Sequence, residues 1–248
     1  MEAFKMLRCL INYDSFSKKA GWRKKEWCAY KLCSYARYVI CPYCHISPID
    51  TKLPDPEADR GYRPNLDHYY SKDDYPYLAL TLCNLIPSCE RCNGPQCKHK
   101  ADFGTMPHLN PLSDLESVRF ELNLLPGLRH KLQGTLSHTE NSSQYVIELH
   151  PCGPDANKVK NSITTFGLTA RYALVVDQIF RLRRQLRTLS SRRKMAAQAF
   201  PDLKTELADT VGFETDDNSY KRVMIGKLRL DLFRQTCEEN PQLIIPDK

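Results

Sequence analysis

Four of the eleven cysteines stand in two pairs of one spacing, Cys41-Pro42-Tyr43-Cys44 and Cys89-Glu90-Arg91-Cys92. A C-x-x-C turn points two sulfurs to the same side, so two such turns supply four thiolates to one tetrahedral zinc. The other seven, Cys9, Cys28, Cys33, Cys83, Cys97, Cys152 and Cys237, have no paired metal spacing and read as small buried hydrophobes. A redox C-x-x-C normally stands alone beside a βαβ unit, and no such unit is visible here. Between and just after the zinc turns come residues suited to proton transfer and to oxygen ligation. Asp67-His68 lies in a run rich in Tyr and Leu, which suits a strand, and two amides follow, Asn84 and Asn93. Residues 45–88 are a longer interval than the commonest zinc fingers have, so this segment must hold structure of its own.

Read in order, Asp67-His68, then Asn84-Leu85-Ile86-Pro87, then Cys89-x-x-Cys92-Asn93 resembles the HNH endonuclease family. The resemblance covers residues 41–100, about a quarter of the chain. It implies an α+β fold: an HNH ββα-metal core stapled by a four-cysteine zinc. It also implies metal-dependent hydrolysis of phosphodiester bonds, with DNA the expected substrate. In that reading His68 is the general base, because a neutral imidazole with a pKa near roughly 6.5 takes a proton from water. Asp67 and Asn93 are the oxygen ligands of one catalytic Mg²⁺ or Mn²⁺, which neutralises charge on the leaving oxygen. Asn84 braces the loop that carries His68, and the zinc is closed and structural.

Some positions depart from the family pattern. Asn93 stands where many relatives carry His, but an amide is still an oxygen ligand. Ser71 takes a place where proline is frequent. Gly94-Pro95 directly after Asn93 should end the helix early. Gln96 stands where a phosphate-gripping lysine is common, which makes Lys98 and Lys100 the candidate substitutes. Tyr69, Tyr70, Tyr75 and Tyr77 read as packing rather than as base-stacking platforms.

An HNH core with an unfamiliar helical tail further resembles nuclease effectors of bacterial antiphage systems, some of them associated with retrons, which implies an ATPase partner. The alternative is a non-catalytic, zinc-stabilised subunit that binds nucleic acid or docks on a partner. The intact Asp67, His68 and Asn93 set speaks against it, since a binding module has no need of a base beside metal ligands.

The rest of the 248 residues must position and serve this core. At 42% hydrophobic and 26% charged, the composition excludes collagen-like, coiled-coil-only and wholly disordered chains. The longest apolar runs, such as Leu78–Cys83, fall far short of the roughly 20 residues of a bilayer helix. With no signal-peptide block at the N-terminus, the expected location is the cytoplasm. Four segments are expected: an N-terminal helical segment over 1–40, the nuclease core over 41–110, a β extension over 111–152 and a helical domain over 153–248.

Residues 18–37 hold seven Lys/Arg against Glu26, with Trp22, Trp27 and Tyr30 between them, and read as a basic amphipathic helix. Phe120, Leu122 and Leu124, then Tyr145, Ile147 and Leu149, alternate as strands do. Leu168, Tyr172, Val175, Ile179, Leu182, Leu186 and Leu189 recur at steps of four and three, one stripe of a long helix. The same stretch, 168–197, carries eight Arg/Lys against Asp177, a surplus equal to the net charge of +7 of the whole chain. Arg181, Arg184 and Arg187 are its expected nucleic-acid contacts.

Overall fold

The computed structural model describes residues 11–18, 26–55, 60–99, 101–128, 140–195, 202–215 and 218–243. The chain packs as two units, one of residues 1–116 and 155–166, the other of 117–154 and 167–248. The segment expected over 153–248 is therefore shared between them, and the strands of 111–152 share a unit with four of the five α-helices described in that segment. The fold is α+β with two small sheets. Among the described residues no helix is long and apolar enough to cross a membrane.

In the first unit, α1 (Tyr13–Ser17) is capped by Asn12, whose side chain accepts from the Ser15 amide at 2.9 Å. Helix α2 (Ala29–Ser34) buries Ala29, Tyr30 and Cys33. Ala29 and Cys33 join Leu66 in a small core covered by Tyr13, Phe16 and Leu32. The basic helix expected over 18–37 is confined, in its described part, to these six residues of α2. Lys19, Trp22, Arg23, Lys24 and Lys25 lie outside the described residues.

Strand β1 (Asn65–His68) pairs antiparallel with β2 (Leu85–Ser88), placing Asp67 opposite Ile86 and His68 opposite Leu85. Every residue of β2 is buried. Ser88 closes this strand, and Cys89 is the N-cap of the helix that follows, α3 (Glu90–Asn93). As Gly94-Pro95 implied, α3 is a single turn. Gly94 continues in extended backbone, and a Cβ there would meet the Glu90 carbonyl oxygen at 2.7 Å. Helix α4 (Ala156–Thr165) belongs to this unit. His108 Nε2 lies 2.7 Å from Thr165 Oγ1, the Leu109 amide donates to Ser162 Oγ at 2.9 Å, and Lys158 pairs with Asp114 at 3.2 Å.

The second unit is built on the hairpin of β3 (Val118–Leu124) and β4 (Tyr145–Pro151). The alternation read from the sequence puts Phe120, Leu122, Tyr145 and Ile147 inside. The apolar stripe of 168–189 is also largely buried, but on two helices, α5 (Leu168–Ala173) and α6 (Val176–Met195). Phe120 packs on Tyr172 with ring centroids 4.5 Å apart, and Tyr145 on Phe180 at 5.1 Å. Helices α7 (Leu203–Val211) and α8 (Gly226–Glu239) pack on α6, and α8 also lies along β3.

A two-stranded sheet leaves the outer edge of β3 without a partner strand, and buried backbone amides need acceptors. Helix α8 supplies them from its side chains. Asp231 Oδ2 accepts from the Phe120 amide at 3.0 Å, and Gln235 accepts from the Leu122 amide and donates to the Leu122 carbonyl. Asp231 is buried and neutralised by Lys227, whose Nζ lies 2.6 Å away. Asp231→Ala strands both a buried ammonium and a sheet amide. It is expected to cost the second unit about 3–5 kcal/mol in denaturant unfolding, against less than about 1 kcal/mol for the exposed Arg119→Ala.

Candidate functional site

The two C-x-x-C turns meet. The sulfurs of Cys41, Cys44, Cys89 and Cys92 all lie within 4.8 Å of one another. Cys41, Cys44 and Cys92 are buried and Cys89 is half-buried. Sulfurs at about 2.3 Å from a tetrahedral zinc stand a little under 4 Å apart, so this cluster fits the ion and is positioned to bind it. Hydrogen bonding among the sulfurs, first from Cys41, lowers the Cys44 pKa to about 6 and also lowers that of Cys89, favouring the thiolate a metal needs. The same contacts push Cys92 up, and burial pushes Cys41 up.

The turns sit before β1 and after β2, so closing them fixes the hairpin that carries Asp67 and His68. Successive strand residues face opposite sides, and these two do. Asp67 is 4% exposed and faces Tyr43 of the first C-x-x-C turn. Its Oδ2 accepts from the Tyr43 hydroxyl at 2.6 Å, and Lys98 Nζ lies 2.8 Å and 2.7 Å from its two oxygens. The same ammonium donates to the carbonyls of His68 and Tyr69 and sits 4.6 Å from the Phe103 ring centre. Lys98 is as buried as its partner, and desolvation lowers its pKa, opposed by the Asp67 charge.

His68 faces the other way, half-buried, its ring edge-on to Tyr13 at 4.4 Å. Its Nε2 is 3.0 Å from the Ala79 carbonyl oxygen. A carbonyl only accepts, so the Nε2 proton is fixed there and the neutral ring keeps Nδ1 as a bare acceptor. Among the described residues Nδ1 has no hydrogen-bond partner. Burial is the main cause of a pKa below the ordinary histidine value. Tyr13 and Ala79, which flank the ring, also line a cleft of about 250 Å³ with Asn12, Lys72 and Pro76.

Asn84 is buried and braces the loop after His68. Its Oδ1 accepts from the Tyr70 amide at 2.7 Å, and its Nδ2 donates to the carbonyls of Tyr70 and Leu78. Asn93 ends α3, half-buried, with no side-chain hydrogen bond among the described residues. Tyr69 is packed, its hydroxyl donating to the His108 carbonyl at 2.6 Å, and Tyr70 and Tyr75 meet edge to face.

A 57-residue stretch is 42% identical to the Septu protein PtuB of Bacillus thuringiensis. That stretch is 23% of this chain and 21% of the relative, so the chain matches only about a fifth of that protein's length. No family model matches the chain, and no solved structure matches it.

The residues expected to act together are thus sorted by the strand. Carboxylate and amide oxygens are the right donor class for Mg²⁺ or Mn²⁺. Yet both Asp67 oxygens already accept from Lys98, and an ion touching them would lie against that ammonium in a buried setting. In this arrangement Asp67 and Asn93 do not fit the divalent ion. Lys98, expected to reach phosphate, is a buried partner of Asp67 instead, because an unpaired carboxylate inside the fold costs more than a surface contact gains. Lys100 lies outside the described residues. Arg181, Arg184 and Arg187 are in the second unit, where Arg187 pairs with Glu140 at 3.1 Å and the other two are exposed without an ion pair among the described residues. Sequence reasoning missed Tyr43. Its signal was its place inside the first C-x-x-C turn, which ties its direction to that of the sulfurs.

Two outcomes follow. Purified protein should hold one zinc per chain by elemental analysis, and Cys92→Ala should lose it together with protection of the β1–β2 amides in hydrogen exchange. Lys98→Met should destabilise the first unit by about 3–5 kcal/mol, and adding Asp67→Asn should restore at least half of that. A double variant as unstable as the single one would show that packing, rather than charge, explains the loss.

Proposed function

We propose that the protein is an HNH-type endonuclease in which His68 is the general base, and that it serves as the nuclease of a bacterial antiphage defence system beside an ATPase partner. The observation that carries the reading is the state of His68. Its Nε2 proton is committed to the Ala79 carbonyl, its Nδ1 has no partner among the described residues, and burial lowers its pKa from the ordinary histidine value, which favours the neutral ring. A base so prepared takes a proton from water as the water oxygen attacks phosphorus. The phosphorus–oxygen bond to the leaving group breaks, and that oxygen is protonated from solvent. Asn84 holds the loop, Lys98 holds the carbonyls of His68 and Tyr69, and the Ala79 carbonyl holds the ring itself. No step is assigned to Mg²⁺ or Mn²⁺, whose expected carboxylate is held by Lys98. The strand–strand–helix order of β1, β2 and α3 beside the cysteine cluster supports the family reading, and the likeness to a Septu protein supports the defence role.

One observation favours a second reading. An Asp67 neutralised by Lys98 is what a zinc-stapled binding module would retain, with no metal to release. Cleavage of supercoiled plasmid, linear duplex, single-stranded DNA and transfer RNA, with Mg²⁺ or Mn²⁺ present, separates the two. The wild type should cut at least one of them, and His68→Ala should cut at least a thousand-fold more slowly while keeping its zinc and its melting temperature. The acid limb of the rate should have its midpoint below pH 6.5, because a lowered pKa means the base is lost only when pH falls through that lower value. Equal rates in the two proteins would remove His68 from the chemistry.

A further inference from the structure

The arginines of α6 divide into two sets. Arg183 lies 3.3 Å from Glu239 and its guanidinium 5.2 Å from the Tyr145 ring centre, while Arg187 pairs with Glu140. Arg181, Arg184 and Arg192 are all exposed, and among the described residues none has an ion pair. Spaced three and eight apart, they share one face of the helix. With Gln185 and Thr188 they form one wall of a groove of about 690 Å³, and α7 forms the other with Glu206, Asp209 and Thr210.

The lining restricts what this groove can hold. Among the described residues Leu189 is its one apolar lining residue and no aromatic ring lines it, so none of them stacks a nucleobase. Three unpaired guanidiniums offer paired donors suited to phosphate oxygens. Eleven residues of helix separate the first from the last, a rise of about 16 Å, which matches about five nucleotide steps of one strand. A single anion would engage one end of that row. The two carboxylates opposite leave the lining at +1 (three arginines less two acids) and place repulsion where a second row of phosphates would lie.

We propose that this groove seats the phosphodiester backbone of a nucleic acid strand, with Arg181, Arg184 and Arg192 on its phosphates. The choice of polyanion rests on the nuclease reading; the geometry does not. The contact reads no sequence, since it touches no base edge.

Binding of fluorescent duplex and single-stranded oligonucleotides to the full chain is measured across a salt series without added divalent ion. Arg181→Gln/Arg184→Gln/Arg192→Gln is compared with Arg183→Gln/Arg187→Gln, which removes charge from the same helix where the fold already pairs it. The groove variant should bind at least tenfold more weakly. Its log–log salt slope should flatten by about 2 to 3, at roughly 0.9 per phosphate on duplex and 0.7 on single strands. The control should shift the slope by less than about 1. Because the groove arginines are exposed and among the described residues hold no ion pair, that variant should keep the wild-type melting temperature. Equal losses in both variants, no loss in the groove variant, or displacement of the oligonucleotide by polyglutamate at equal charge would overturn the site. A wild type that binds through the groove yet never cuts would sink the nuclease reading alone; one that cuts with the slope unchanged in the groove variant would sink the groove alone.

Discussion

The approach of four sulfurs to within 4.8 Å is the constraint on which the first unit depends. A hairpin of four paired residues is marginal in water, and its two zinc turns lie on either side of the segment 45–88. Bringing them together costs roughly 3 kcal/mol of loop entropy, whereas a structural zinc returns about 10–16 kcal/mol. A zinc bound there would outweigh that cost by a wide margin and let so short a sheet carry a site. The cluster also aims side chains. Tyr43 rides within the first turn and reaches Asp67, and Lys98, six residues after Cys92, reaches the same carboxylate beyond Gly94.

Alternation along β1 then divides the labour of two neighbouring residues. Asp67 turns to the buried side, where two charges are matched and every ammonium proton has an oxygen. His68 turns toward Tyr13 and Ala79, where Nε2 is bonded and Nδ1 has no partner among the described residues. The ion pair and the imidazole are coupled through backbone, because Lys98 grips the carbonyl of His68 itself. A charge that stabilises the unit thereby also orients the base.

Local features of this design were legible in the sequence. The C-x-x-C spacing, the strand at Asp67-His68, the bracing role of Asn84, the early end of α3 and the inward alternation of β3 and β4 all follow from short-range chemistry. What escaped was long-range. Lys98 has the same sequence appearance whether it meets phosphate or a carboxylate thirty-one residues away. Helix α4 continues the C-terminal helical pattern but is held in the first unit by His108, Leu109 and Asp114. The break between α5 and α6 falls at Leu174-Val175, where no Gly or Pro interrupts the stripe. Leu174 is left 84% exposed, so tertiary packing ended the helix there.

Charge shows the same limit and suggests a way past it. A run of eight basic residues predicts a phosphate surface only in aggregate, and it gave Arg187 the same standing as Arg181 and Arg184. Residues far along the chain decide between them. Glu140 and Glu239 neutralise Arg187 and Arg183, and no acid reaches Arg181, Arg184 or Arg192 among the described residues. The density of cations in a segment is therefore a weaker guide to ligand binding than the remainder after the fold's own acids have been paired. Three members of that remainder, Arg181, Arg184 and Arg192, line one groove on one face of one helix. Such localisation is what a ligand carrying charge along a line requires, and what a surface charged only for solubility has no reason to produce.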